Sequence, residues 1–472
     1  MIPIRIKAAI NIKNNGLFKF DYQIPVYNFF FPSQGKCIID KPLSDVIVNS
    51  NNGINSRALY FHIPFCETIC TFCPFTKGGY KGETVINNYT DALIKEIELK
   101  ANFVDYQAVP VRAIFFGGGT PSLLSTSNIL KMGAAIHKHF KIASNCEFSF
   151  EIEIKSLTEE KVIAMKEIGV THPRFGLQTF NQEWRKLFNL TSTYEHIKFA
   201  ASILNANFKY VLFDILYGMN GQDEEEIIKD LEMAVSLGTS NIDIYPIDNV
   251  VTQVKLHKAI KNRGLGFTTA TRKFSMNMLI DAYMRSKGFM PHNGHGYIRT
   301  PNVTSDIVTD EYSFVYHEHV YGYSNYDLHG FGVNAVSSIR EHVITNFSNR
   351  NAYITAVNSE KMPVNVSKHS PILDEIKPIV LRLPYHGLVR KSLIKMDFVP
   401  KSIFSKLDIL LSNDLIVEDN DSWQLTKLGW YWYINIMFWL MPEEDQRILK
   451  AFIAKKLNET GRFIAKKELV YV

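Results

Sequence analysis

The sequence predicts an α/β chain: a partial (β/α)6 TIM-type barrel with an N-terminal extension and a C-terminal winged-helix-like α+β domain. Three observations carry that expectation. From Arg57 onward, apolar runs of strand length alternate with helical stretches, the signature of βαβ units around a parallel sheet. Polar residues and glycines collect at the ends of successive runs, as at the mouth of a barrel. Beyond about residue 370 the alternation stops, and helix, helix, hairpin and helix follow.

Residues 1–57 hold the turn-rich pieces NFFFPSQG and NSNNGINS and read as an extension that wraps a larger domain. Strands are expected at 58–64, 111–118, 146–154, 172–178, 208–217 and 241–247. Helices are expected between and after them, at 86–104, 125–140, 158–168, 181–189, 194–205, 223–237 and 271–288. This domain is expected to span 58–345. In 346–472, helices at 372–383 and 401–412 precede a hairpin in SNDLIVEDNDSWQLTKLG, then helices at 427–440 and 443–457. The hairpin carries DLIVEDND, whose acidic residues argue against phosphate contact by a wing.

Composition narrows the function classes. The 472 residues are 46% hydrophobic and 21% charged, with a net charge of +5 and both signs interspersed. No dense basic run points to nucleic acid. No apolar run reaches the ~20 residues of a membrane helix. The aromatic segment WYWYINIMFWLM (430–441) is too short and reads as buried. Five cysteines, three of them clustered, do not form a secreted disulfide framework, so a cytoplasmic protein is expected, with neither nucleic acid nor membrane as partner.

The stretch FHIPFCETICTFCPF (61–75) holds Cys66, Cys70 and Cys73 at C-x3-C-x2-C spacing, just after the first strand. Structural zinc would need a fourth ligand. His62 is the nearest, but it stands on the strand, four residues before Cys66, pointing away from the closure. A redox dithiol would use only two of the three. A [4Fe–4S] cluster would use all three thiolates and leave one iron open to a substrate or cofactor. The run GGGTP (117–121) follows the second strand, Glu151 sits late in the third, Gln178 ends the fourth, and Asp214 lies late in the fifth. Gly117, Gly118 and Gly119 remove side chains where main chain approaches a ligand, or simply permit a tight barrel turn.

The cysteine spacing, with Phe72 just before the last cysteine, resembles the radical S-adenosylmethionine (SAM) superfamily. YFHIPFC (60–66) and FFGGGTPSLL (115–124) resemble its oxygen-independent coproporphyrinogen III oxidase-like (HemN-like) branch. The similarity continues through FSFEIE, FGLQTFN, FDILYGMNGQ, GFMPHNGHGY and HGFGVNAVSS, and reaches LTKLGW (425–430). It implies a [4Fe–4S] cluster on Cys66, Cys70 and Cys73, SAM on the open iron and use of a second SAM molecule in the same pocket. By matching motif, Tyr60, Gly118, Glu151, Asp248 and Val336 fall where the cluster-bound SAM is contacted. Gly117 shares the glycine run. Phe72, Gly119, Thr120, Gln178 and Asp214 fall where the second SAM is contacted.

The chain departs from the branch at three places. Arg174 stands where a serine is usual, Leu190 where an arginine is usual, and Met219-Asn220 where Leu-Pro is usual. Leucine cannot replace a guanidinium, so either Arg174 supplies the charge from its strand or second-SAM binding differs. Three activities of the branch compete: coproporphyrinogen III oxidative decarboxylation, one-carbon transfer by HemN-like methyltransferases, and haem chaperoning. YTDALIKEIEL, PVRAIFFGGGTPS, GMNGQDEE and LTKLGWYWYIN look most like the anaerobic haem-degrading methyltransferase group. That favours addition of a C1 unit from the second SAM to an sp2 carbon. The chaperone's HN-x-x-YW segment has no counterpart in YHEHVYGYSNYDLHGFG (316–332). The implied partners are a small substrate, a tetrapyrrole or a natural-product intermediate, and an electron donor such as flavodoxin or ferredoxin. His295 and Tyr323 are the expected proton carriers at the substrate. His317 and His319 read as an i, i+2 pair on one face of a strand, or as surface histidines.

Overall fold

The computed structural model describes residues 31, 37–38, 46–47, 51–73, 75, 77–247, 254–265, 268, 270–300 and 315–459. Six described strands form the parallel centre: β1 Ser56–Ile63, β2 Val111–Gly118, β3 Ile142–Ile152, β4 His172–Gln178, β5 Leu212–Tyr217 and β6 Asn241–Pro246. They pair in chain order, each parallel to the next. The expected third and fifth strands were misplaced mainly at their starts, which depend on neighbours rather than on local apolar runs.

The sheet stays open. On one side β7 Phe289–Pro291 and β8 Gly296–Arg299 add to β6, with β8 antiparallel to it. On the other, β9 Tyr326–Phe331 runs parallel to β1, followed outward by β10 Val336–Ile339, β11 His342–Asn346 and β12 Val364–Lys368. The short strand Cys37–Ile38 closes that edge against β12. Antiparallel strands outside β9 and β6 cannot continue a βα ring, which is why the barrel is partial. The expected extension 1–57 lies largely outside the described residues; of those described, Phe31, Val46 and Ile47 are buried, Cys37–Ile38 edges the sheet, and Ser56 and Arg57 already belong to β1.

Helices begin where side chains satisfy their first amide groups. Ser125 caps Thr126–His139, Thr158 caps Glu159–Glu167, and Asn181 caps Gln182–Phe188. Capping boxes at Thr193 and Asp223 open Tyr194–Asn207 and Glu224–Ser236. The helix Glu83–Ala101 and its neighbours cover the outer face, so the sheet's outward Leu, Ile, Val and Phe residues form one core with them.

The large sheet continues past residue 345. Tyr353, Val357 and Val366 belong to the barrel's apolar core, so the architecture changes after Lys368. From Pro371 onward a second core forms around Ile379, Leu410, Trp423, Trp432 and Phe438. Its strands β13 Leu388–Arg390, β14 Ile416–Glu418 and β15 Ser422–Leu425 pair in the order β13–β15–β14, with Lys401–Ser412 before the hairpin, a winged-helix-like arrangement. The helix expected at 372–383 contains a π-helical stretch, Pro378–Arg382. Two prolines, Pro378 and Pro384, remove amide donors there. The helix expected at 427–440 breaks at Trp432. Among the described residues no helix is long and apolar enough to cross a membrane.

Candidate active site

The cysteine loop leaves the mouth end of β1 and is pinned on two sides. Phe65–Cys66 pairs in parallel with Gly78–Gly79, and the Tyr80 amide donates to the Cys66 carbonyl at 2.9 Å. Across the mouth, Thr71 donates through its amide and hydroxyl to Phe188 and Leu187 carbonyls, at 3.1 and 2.8 Å. Asn189 donates to the Ile69 carbonyl at 3.1 Å, and Phe72 packs edge-on against Phe188. The helix Gln182–Phe188 therefore holds the loop from outside the cysteine motif.

Burial raises the Cys66 thiol above its ordinary value, opposed by a hydrogen bond from Thr120. Burial, reinforced by Cys73 and Cys66, pushes Cys70 up to about 12. Among the described residues no three His, Cys, Asp or Glu side chains close on a metal ion by themselves. Three thiols on one loop, with no fourth protein donor among the described residues, still fit a cluster with an open position better than a closed tetrahedral site. The raised thiols of Cys66 and Cys70 are ones that an arriving metal would have to deprotonate.

Behind the thiols the main chain approaches closely. Gly118 has φ +110°, and a Cβ there would lie 2.4 Å from the His62 ring. A Cβ on Gly119 would lie 2.6 Å from the Phe65 carbonyl oxygen. The Gly118 amide donates to Glu151 Oε2 at 3.2 Å, and Tyr60 Oη lies 2.9 Å from His62 Nδ1. Burial drives Glu151 up to about 7, with Arg174 opposing and Asp214 adding to the shift. Tyr60, Gly117, Gly118, Gly119, Thr120 and Glu151 thus lie together beside the cysteine loop. Val336 is 40% exposed on β10, opposite Gly330, two strands from β1. Asp248 lies outside the described residues.

The barrel interior is organised by Arg174. Its Nη2 donates to Asp214 at 2.9 Å, to Asp243 at 2.8 Å and to Tyr245 at 3.3 Å, and its guanidinium faces the Phe115 ring at 5.6 Å. Two buried carboxylates share one cation. Burial and Asp243 raise Asp214 to about 6, against the pull of Arg174, whereas at Asp243 burial is outweighed only by its polar neighbours together, Arg174 first among them and then His295, His292 and Tyr245, which hold it below the usual carboxylate range. The charge of Arg174 is already engaged by these acids. Leu190 packs in a separate apolar cluster with Trp184, Phe188 and Met219. Gln178, at φ 70°, ends β4 and folds its amide back over Gly176, beside Asp214.

His295 sits against Tyr245, ring centroids 4.1 Å apart. Its Nε2 is 3.0 Å from the Tyr385 hydroxyl, which also lies 2.8 Å from His317 Nδ1. Burial takes His295 down to about 3 and His317 well below its usual value, so both rings are neutral. A hydroxyl between two neutral imidazoles can donate to one and accept from the other. Tyr323 is not part of this group. It is buried in the second core, where its hydroxyl accepts the Arg390 amide at 3.2 Å and Arg382 covers its ring. The expected strand around His317 and His319 is instead a short helix, Val315–Val320. His319 consequently turns away, to Ser56 Oγ at 2.8 Å. Sequence reasoning missed Asp243, Tyr245 and Tyr385. Asp243 and Tyr245 carried a signal, polar residues at i, i+2 inside the apolar run NIDIYP; Tyr385 carried none.

The chain matches the radical SAM superfamily over residues 60–234. It is 33% identical over 249 residues to an anaerobilin synthase of Escherichia coli O157:H7, covering 52% of this chain and 54% of that protein, so the chain spans about half of that relative. It is 26% identical over 391 residues to the heme chaperone HemW of Buchnera aphidicola subsp. Acyrthosiphon pisum, covering 79% of this chain and 95% of that one. It is 25% identical over 431 residues to an oxygen-independent coproporphyrinogen III oxidase of Synechocystis sp., covering 88% and 91%. Among solved structures it is similar in fold to the coproporphyrinogen III oxidase HemN from Escherichia coli, described as a radical SAM enzyme, with a TM-score of 0.73 at 18% identity, over 88% of this chain and 96% of that chain.

Proposed function

We propose that this chain, which carries a radical SAM domain and has HemN-like homologues, adds a one-carbon unit from a second SAM molecule to an sp2 carbon of a small substrate. The outcome is methylation, cyclopropanation or opening of a tetrapyrrole ring. Cys66, Cys70 and Cys73 would hold a [4Fe–4S] cluster. When bound, the cluster and its SAM supply an electron that breaks a carbon–sulfur bond and a 5′-deoxyadenosyl radical. The chain's own residues bind and orient. The glycine run lets main chain approach the amino-acid end of SAM, and ionised Glu151 accepts from its ammonium or ribose. Asp214, held by Arg174, offers its remaining acceptor positions at the strand ends to the second SAM. Tyr385, between His295 and His317, holds or moves a proton beside the barrel interior.

The observation that carries one-carbon transfer over decarboxylation is the pairing of Arg174. Oxidative decarboxylation requires a substrate propionate held inside the barrel, and a buried carboxylate needs a cation or donors there. Arg174 already serves Asp214 and Asp243. Addition to an sp2 carbon has no such requirement at the reacting atom. Greater identity to the anaerobilin synthase than to the Synechocystis oxidase supports the same reading.

Anaerobically reconstituted protein, incubated with SAM and reductant, should be offered haem and coproporphyrinogen III separately. With haem, S-adenosylhomocysteine and 5′-deoxyadenosine should both form and the pigment should change. Carbon dioxide from coproporphyrinogen III, without S-adenosylhomocysteine, would replace this reading with decarboxylation. Tight haem binding without turnover would replace it with haem chaperoning, the activity named for the Buchnera relative.

A further inference from the structure

We infer that a cationic concavity beside the cysteine loop is the docking surface for an acidic one-electron donor protein. The inference rests on the reading that the three thiols hold a cluster. The concavity has a volume of about 390 Å³. Of its ten lining residues, Lys77, Lys81 and Arg350 are cationic and none is acidic. Nearby Glu67 is paired with Lys155 at 3.2 Å.

The cavity wall and the ligand-bearing loop are one structure. Gly78 and Gly79 line the cavity and pair with Phe65 and Cys66. Lys77 Nζ donates to the Cys73 carbonyl at 2.6 Å, and the Arg350 guanidinium lies 5.0 Å from the Phe65 ring centre. A partner seated here rests on the strand that pairs directly with Phe65–Cys66. Beside it, Phe75 and Tyr80 are 60% and 40% exposed, apolar surface of the kind enriched in interfaces. An acidic protein fits this combination, because opposite charge steers encounter and fixes orientation in a small, transient interface. One electron crosses: the donor is oxidised by one, the cluster is reduced by one, and no bond or proton changes at this surface.

The test uses the reconstituted full chain and two reductants, a reduced acidic flavodoxin and dithionite, with cluster bleaching followed by stopped flow. The variant Lys81→Glu/Asn351→Asp adds negative charge on exposed lining residues, and Lys81→Arg keeps the charge. The flavodoxin rate should fall about tenfold in the double variant at low salt, and the wild-type rate should fall steeply as salt rises. Lys81→Arg should keep the wild-type rate, and dithionite should reduce all three proteins within about twofold, with the same cluster spectrum. Equal flavodoxin rates in wild type and double variant, or a salt-independent wild-type rate, would overturn the docking surface. Wild-type protein that dithionite also fails to reduce would instead overturn the cluster reading, and this inference with it.

Discussion

Arg174 sits on a barrel strand, 4% exposed, and remains charged because Asp214 and Asp243 face it. Replacing it with the serine usual in its branch removes the cation shared by two buried acids. Arg174→Ser should cost about 3–5 kcal/mol in denaturant unfolding. Arg174→Ser/Asp243→Asn should recover part of that loss. Glu151 makes a pH prediction. Its pKa is raised to about 7 by burial, so the unfolded chain releases this proton at lower pH than the folded one. Its contribution to stability therefore declines as pH rises from the ordinary carboxylate range to about 7, then levels. Its capacity to accept from an ammonium runs the other way. SAM affinity of the reconstituted protein, measured by anaerobic calorimetry, should tighten from pH 6 to 8, and Glu151→Gln should flatten that slope. At this scale much was legible. Cysteines, glycines and strand-end acids announce themselves by spacing, and a lone arginine in HPRFGLQ demands an acid at the same height of the barrel. Which acid answers it depends on strand register, which no single strand encodes.

Val315–Val320 shows what local sequence leaves open. Six residues are too few to form a stable helix alone, and YHEHV alternates like a strand. Tertiary contacts decide. Glu147, buried on β3, accepts the Val315 amide at 3.0 Å, and Tyr316 packs on Phe115 with centroids 4.7 Å apart. The middle of the helix is held by His317 on Tyr385, across 68 residues of sequence. The strand and helix expectations succeeded where one periodicity ran for a full element, and failed here because the short segment takes its conformation from β3 and the Tyr385 helix. Tyr385→Phe removes one hydroxyl that serves two histidines. It should cost about 1–3 kcal/mol and speed amide exchange in 315–321, while iron content after reconstitution stays at the wild-type level. Unchanged exchange there would mean that the hydroxyl does not hold the helix.

The described residues form two large apolar cores with smaller clusters beside them, and the second large core is not the property of the C-terminal segment alone. Phe274, Tyr321 and Tyr323 from the barrel half are buried in it. Tyr431 donates across the boundary to Asp281 at 2.9 Å, and a Cβ on Gly294 would lie 2.6 Å from the Tyr433 ring. The sequence-based boundary at 345 falls inside the large sheet because β11 and β12 are short and polar on one face, so they read as linker rather than as sheet. A chain truncated after His369 keeps every strand of that sheet but exposes Phe274, Tyr321 and Tyr323, and strips Tyr385 from His295. It should bind hydrophobic dyes and lose cooperative thermal unfolding, although the cysteine loop and the glycine run are present in full. A soluble truncated chain that melts cooperatively and takes up a full complement of iron would show that the barrel folds without its partner. The hydrogen bond between His295 and Tyr385, the Asp281 contact and the shared aromatic core together argue against that independence: each places one member in the barrel half and the other beyond Pro371.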